Sequence, residues 1–186
     1  IYHLGTSLGV DPIMSAQTGG STTLVDAGSS GPANFMGFRK HVIEPCPVRI
    51  VAYLNISFPG IYAFSKTTMV GECQDLRLMD LGECRRVADE NRDMIVGIKV
   101  RVGRGAGGGS GHMPLDMAVE VADDLGLPVM CHLDHPPPSR REVLDRMRPG
   151  DVLTHCFRPF PNAPIDGTGR VRSEINEARA RGIFFD

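Results

Sequence analysis

Short apolar segments and helical segments take turns along this chain, and that alternation constrains its fold more than any other feature. Six apolar segments lie at 22–26, 48–57, 94–102, 128–133, 151–157 and 182–186. Segments of helical character separate them. Residues 34–44 follow a Gly-Pro pair, and 80–92 carry Leu81, Cys84, Val87 and Ala88 at helical spacing. Residues 114–125 open on a first-turn proline and close on Gly126. Ser139 with Glu142 three residues on makes a capping-box pattern for 139–147, and 171–181 end on Gly182. Strand alternating with helix predicts an α/β architecture built on a parallel sheet with right-handed crossovers. A doubly wound sheet and a (β/α)8 barrel both satisfy it. At 186 residues the chain suits one sizeable core and is too short for two ordinary domains.

Side chains of a strand alternate between faces. In 94–102, Val96, Ile98, Val100 and Val102 share an apolar face, while Ile95, Gly97, Lys99 and Arg101 share the other. An unpaired ammonium is costly to bury, and this chain has only three lysines, at 40, 66 and 99. The neighbouring segments repeat the pattern. His132 opposes Val129, Cys131 and Leu133; His155 opposes Val152, Thr154 and Cys156; Asn55 opposes Ile50, Ala52, Leu54 and Ile56. Each polar residue falls at or near the C-terminal end of its strand, where active sites of parallel α/β folds lie. A lone strand histidine is usually a satisfied core residue. Two of them in phase with a lysine on adjoining strands reverse that weighting. Imidazole is a preferred ligand of zinc and similar metals. A buried lysine shifts toward its neutral amine, which reacts with carbon dioxide to give a carbamate, an oxygen ligand able to bridge two metals. A Schiff-base lysine is the other functional reading of Lys99, and it leaves both histidines unexplained.

The rest of the chain narrows the field. A net charge of −2 gives no electrostatic case for nucleic acid or an anionic membrane, and no apolar run approaches the ~20 residues of a membrane span. Cysteines 46, 73, 84, 131 and 156 are odd in number and contain no C-x-x-C pair. They read as small buried hydrophobes in a reducing compartment, so a cytoplasmic location is expected. The chain starts at Ile1 and stops at Asp186 directly after an apolar run, and both ends read as cut. The glycine tract at 103–111 lacks the Lys-Ser/Thr ending of a P-loop and reads as a mobile loop beside the site. Arg101 is read as meeting a substrate carboxylate or a loop acid. Asp26 and Asn55 are read as reaching substrate, orienting ligands or bonding backbone. His135 is read as a loop residue that touches substrate at the mouth, His112 as a lid or substrate-facing residue, and His41 as exposed.

Five stretches carry a family likeness in order along nearly the whole chain. They are Thr22-Thr-Leu-Val-Asp-Ala-Gly28, Asn34-Phe-Met-Gly-Phe-Arg39, Ile95-Val-Gly-Ile-Lys-Val-Arg101, Met130-Cys-His-Leu-Asp-His-Pro-Pro137 and Pro149-Gly-Asp-Val-Leu-Thr-His-Cys-Phe157. At these residues the chain resembles the amidohydrolase superfamily, in its deacetylase and dihydroorotase-like branch. The resemblance implies an incomplete (β/α)8 TIM barrel, roughly strands 2 to 7, forming one partial metallohydrolase domain over 1–186 with both ends truncated. It implies two zinc ions bridged by a carboxylated Lys99, with His132 and His155 ligating the second. It further implies a metal-bridging hydroxide that cleaves an amide or ester of a small molecule, by deacetylation or cyclic amide hydrolysis. Two family features do not fall within the chain. The His-x-His pair would lie just before Ile1, and the general-base aspartate beyond Asp186; His3 and Asp186 match neither. No catalytic residue is therefore expected in these 186 residues, which alone should be inactive. A non-catalytic barrel fragment is the third reading, and the sequence leaves room for a homo-oligomer.

Overall fold

In the computed structural model, which describes residues 1–158 and 161–186, the apolar segments pair as six parallel strands. They are β1 (Thr23–Ala27), β2 (Arg49–Asn55), β3 (Ile95–Val102), β4 (Val129–Leu133), β5 (Val152–Thr154) and β6 (Phe184–Phe185). Each hydrogen-bonds the next in chain order. A doubly wound sheet reverses the order of its strands once. Here the order never reverses, so every crossover steps the same way and the sheet curls into an open half-barrel flanked by helices. Of the two architectures that alternation allowed, the partial barrel is the one formed.

The helices are α1 (Pro12–Gly19), α2 (Phe35–Phe38), α3 (Leu81–Glu90), α4 (Arg104–Gly107), α5 (Met113–Leu125), α6 (Arg140–Leu144) and α7 (Ser173–Ala180). A π-helical turn, Arg39–Ile43, extends α2 over the segment expected to be helical. Polar side chains take up free N–H groups at several helix starts. Asp80 accepts from the Glu83 N–H at 3.0 Å, and the capping box of Ser139 and Glu142 forms as its spacing suggested. Gly126 ends α5 in the left-handed conformation that glycine adopts freely. α1 was not expected, because its residues carry no apolar stripe. Its one signal is the Asp11-Pro12 start, where Asp11 accepts from the Ile13 N–H at 2.8 Å.

Ile98, Val100 and Val102 of β3 and Val129, Cys131 and Leu133 of β4 share one buried cluster with Leu115, Ala118, Val121 and Ala122 of α5 and with Val87 and Ala88 of α3. Val96, on the same face of β3, remains exposed. The opposite faces are buried too, at Lys99, Arg101 and His132. Strands of a parallel sheet covered on both sides are expected to look like this. β5 is shorter than the 151–157 segment predicted. It ends at Thr154, because His155 has a φ of 70° and cannot continue a strand. Just before it, the fully buried Asp151 carboxylate accepts from the Val129 and Arg148 N–H groups, both at 2.7 Å, and ties β5 to β4. The five cysteines are free, and among the described residues no helix is long and apolar enough to cross a membrane.

Candidate metal centre

Parallel register sets the polar residues side by side at the C-terminal ends of the strands. Lys99 lies beside Asn55 of β2 and Met130 of β4, while His132 lies beside Arg101 of β3 and Thr154 of β5. Lys99, Arg101, His132 and His155 line one cavity of about 420 Å3, with Phe64 and Arg158 on its wall. The His132 and His155 rings meet edge to face, with centroids 4.9 Å apart. Gly28, at the end of β1, makes room for Lys99: a Cβ there would overlap the lysine stem, and its φ of 84° excludes most other residues.

The environment pushes all three nitrogen-bearing groups toward their neutral forms. Burial holds the Lys99 amine down to about 8, with Cys131 opposing and Arg101 adding to the shift. Burial pushes His132 down to about 3; Arg101, Lys99 and His155 add to this, and Asp134 opposes. His155 stands exposed at the rim. Even so, the part of its ring packed against the sheet lowers it to about 4, helped by Lys99, Arg158 and Arg101. Among the described residues, nothing hydrogen-bonds Lys99 Nζ or either ring nitrogen of His132, although all three atoms are buried. Each such atom costs roughly 1–3 kcal/mol when left without a partner. Three of them at one spot mark a place built to hold something.

The other residues singled out from sequence have partners within the fold. Asn55 is fully buried; its Nδ2 donates to the Gly28 carbonyl at 3.1 Å and its Oδ1 accepts from the Ser57 N–H at 2.9 Å. Asp26 accepts from the Gly28 and Ser29 N–H groups at 3.0 and 2.7 Å. Arg101 pairs with the buried Glu72 at 3.1 Å and lies over the Phe64 ring at 5.1 Å from its centroid. His135 is exposed beyond β4, and its carbonyl accepts from the Arg104 N–H at 2.7 Å. His112 pairs with Asp116 at 2.7 Å on α5, and His41 is exposed. The glycine tract is wound rather than open, forming α4 and a 3-10 turn, Gly108–Ser110. Glu72, Phe64 and Asp134 escaped the sequence reading. The first two sit in a long connection with no periodicity. Asp134 did carry a signal, two residues past His132.

Among the described residues no three His, Cys, Asp or Glu side chains gather into a group able to hold a metal. The cluster present is two imidazoles and a lysine. No family model matches the chain. It is 41% identical over 186 residues to a deacetylase of Agrobacterium fabrum, of which it covers 45%, and 41% identical to a deacetylase of Brucella anthropi, of which it covers 46%. A deacetylase of Enterococcus faecalis is 32% identical over 169 residues, which make up 90% of this chain and 44% of that protein. Among solved structures, a dihydroorotase superposes with a TM-score of 0.86 at 37% identity, over 100% of this chain and 48% of that one. An adenine deaminase superposes with a TM-score of 0.87 at 30% identity, over 97% of this chain and 48% of that one. The chain thus spans about half the length of the proteins it matches. A parallel half-barrel with this likeness defines a member of the amidohydrolase superfamily. Within it, the chain belongs to the deacetylase and dihydroorotase-like branch.

Proposed function

We propose that these residues form part of the metal centre of a hydrolase that cleaves an amide or ester bond of a small molecule. The observation that carries this reading is the group of buried, unpartnered nitrogens on Lys99 and His132 beside the His155 ring. The donors fit a divalent metal, proposed as zinc. Two neutral imidazoles offer lone pairs directly. The Lys99 amine, buried and without a hydrogen-bond partner among the described residues, would serve as a third holding group once carboxylated by carbon dioxide, a reaction that forms an N–C bond, releases a proton and would supply anionic oxygen. When bound, the metal supplies Lewis acidity, polarising a carbonyl and making water nucleophilic near neutral pH.

The surrounding residues bind and orient. Glu72 and Phe64 hold Arg101 at the cavity wall, where its remaining N–H groups are offered to an acceptor on the substrate. His135 is proposed to touch substrate from the rim. Asn55 shapes the floor by fixing the backbone of Gly28 and Ser57. None of these residues is proposed as the proton carrier. Deacetylation and cyclic amide hydrolysis are the two proposed reactions, and five free thiols favour a reducing compartment such as the cytoplasm.

In the full-length protein, Lys99→Ala is expected to lose bound metal by elemental analysis, together with most hydrolytic activity. Metal content equal to wild type would end this reading. The Schiff-base alternative is favoured by one observation, the Lys99 amine held at about 8. It demands an adduct trapped by borohydride at Lys99 and activity that survives a chelator.

A further inference from the structure

We propose that Asp134 is a positioning residue of this centre: one carboxylate docks the glycine tract on the end of β4 and sets how the His132 ring is presented. The inference rests on the metal-centre reading.

Asp134 is held at every polar group. Its Oδ1 accepts from the Gly105 N–H and its Oδ2 from the Ala106 N–H, each at 3.2 Å. Its own N–H reaches the Val102 carbonyl at 3.3 Å, and its carbonyl accepts from Asn162 Nδ2 at 2.8 Å. The same Oδ2 stands 3.9 Å from His132 Nε2, too far for a hydrogen bond. A fixed negative charge at that range acts on the ring through its field. It favours the ring orientation that turns an N–H edge toward it, as outer carboxylates do for histidines at metal sites.

The glycines match this arrangement. A Cβ at Gly103 would overlap Oδ1, one at Gly105 would lie 2.6 Å from Oδ2, and Gly103 has a φ of 111°. The tract is therefore glycine where the carboxylate needs room. Further contacts gather at the same junction. The Cys73 N–H donates to the Ala106 carbonyl at 3.1 Å, and Gln74 Nε2 donates to the Gly105 carbonyl at 3.2 Å. The connections that follow β2, β3, β4 and β5 all meet through Asp134 or the turn it holds.

A merely structural pin would loosen the tract when removed and leave His132 as it was. A positioning role changes His132 while the fold persists. The test compares full-length wild type with Asp134→Asn and Asp134→Ala. Zinc affinity is measured by competition with a chromophoric chelator, amide exchange at 105–106 by mass spectrometry, and His132 ring resonances by 15N NMR of the metal-free protein. Asparagine keeps an acceptor of nearly the same shape and removes the charge, so it separates field from docking and carries the test if Asp134→Ala fails to fold. Both variants are expected to shift the His132 resonances and to weaken zinc about 10- to 100-fold. Asp134→Ala should also speed exchange at Gly105 and Ala106. Unshifted His132 resonances overturn the proposal. So does wild-type zinc affinity in both variants of a protein whose Lys99→Ala form loses zinc. If Lys99→Ala and His132→Ala bind zinc as wild type does, the metal reading fails separately, and the His132 resonances alone decide the role of Asp134.

Discussion

Gly28 governs how Lys99 enters the cavity, because the lysine stem occupies the space a side chain would take. Gly28→Ala is expected to destabilise the fold by roughly 1–3 kcal/mol through its positive φ, and to lower metal content by displacing Lys99. Urea denaturation and elemental analysis check the two effects separately. Glu72 supplies a pH dependence. Burial raises its carboxyl above the usual range, with Arg101 opposing. The folded state then holds this proton at pH values where the unfolded chain, with a carboxyl near about 4.3, has released it. The stabilisation is complete below that unfolded value and is lost as pH rises through the raised folded one. Glu72→Gln is expected to flatten that decline in a series of denaturation curves. An unchanged slope would contradict it. Lys99 and His132 were legible in the sequence because a two-residue period separates polar from apolar faces without any knowledge of contacts. Glu72 was not, since it lies in an aperiodic stretch and its burial depends on Arg101, 29 residues further along the chain.

At the scale of elements, strand starts are tied as firmly as strand ends are arranged for chemistry. Asp151 is fully buried and serves the N–H groups of both Val129 and Arg148. Asp151→Ala would strand those donors and is expected to cost about 3 kcal/mol in chemical denaturation, far from the cavity. Little change would mean that water replaces the carboxylate. The helices were legible where caps and apolar stripes coincide, as in α3, α5 and α6. α1 escaped because it has a cap and no stripe, and the end of β5 because nothing in Thr154-His155 announces a left-handed turn.

For the molecule as a whole, alternation pointed to a parallel sheet, and only the pairing order separated a barrel from a doubly wound sheet. Pairing is long-range, so no local signal carries it. The unreversed strand order has a consequence for how the cavity is assembled as well. Lys99, His132 and His155 sit on or just after three consecutive strands, so the pairings that bring the three side chains together, β3 with β4 and β4 with β5, all fall within one continuous segment of the chain.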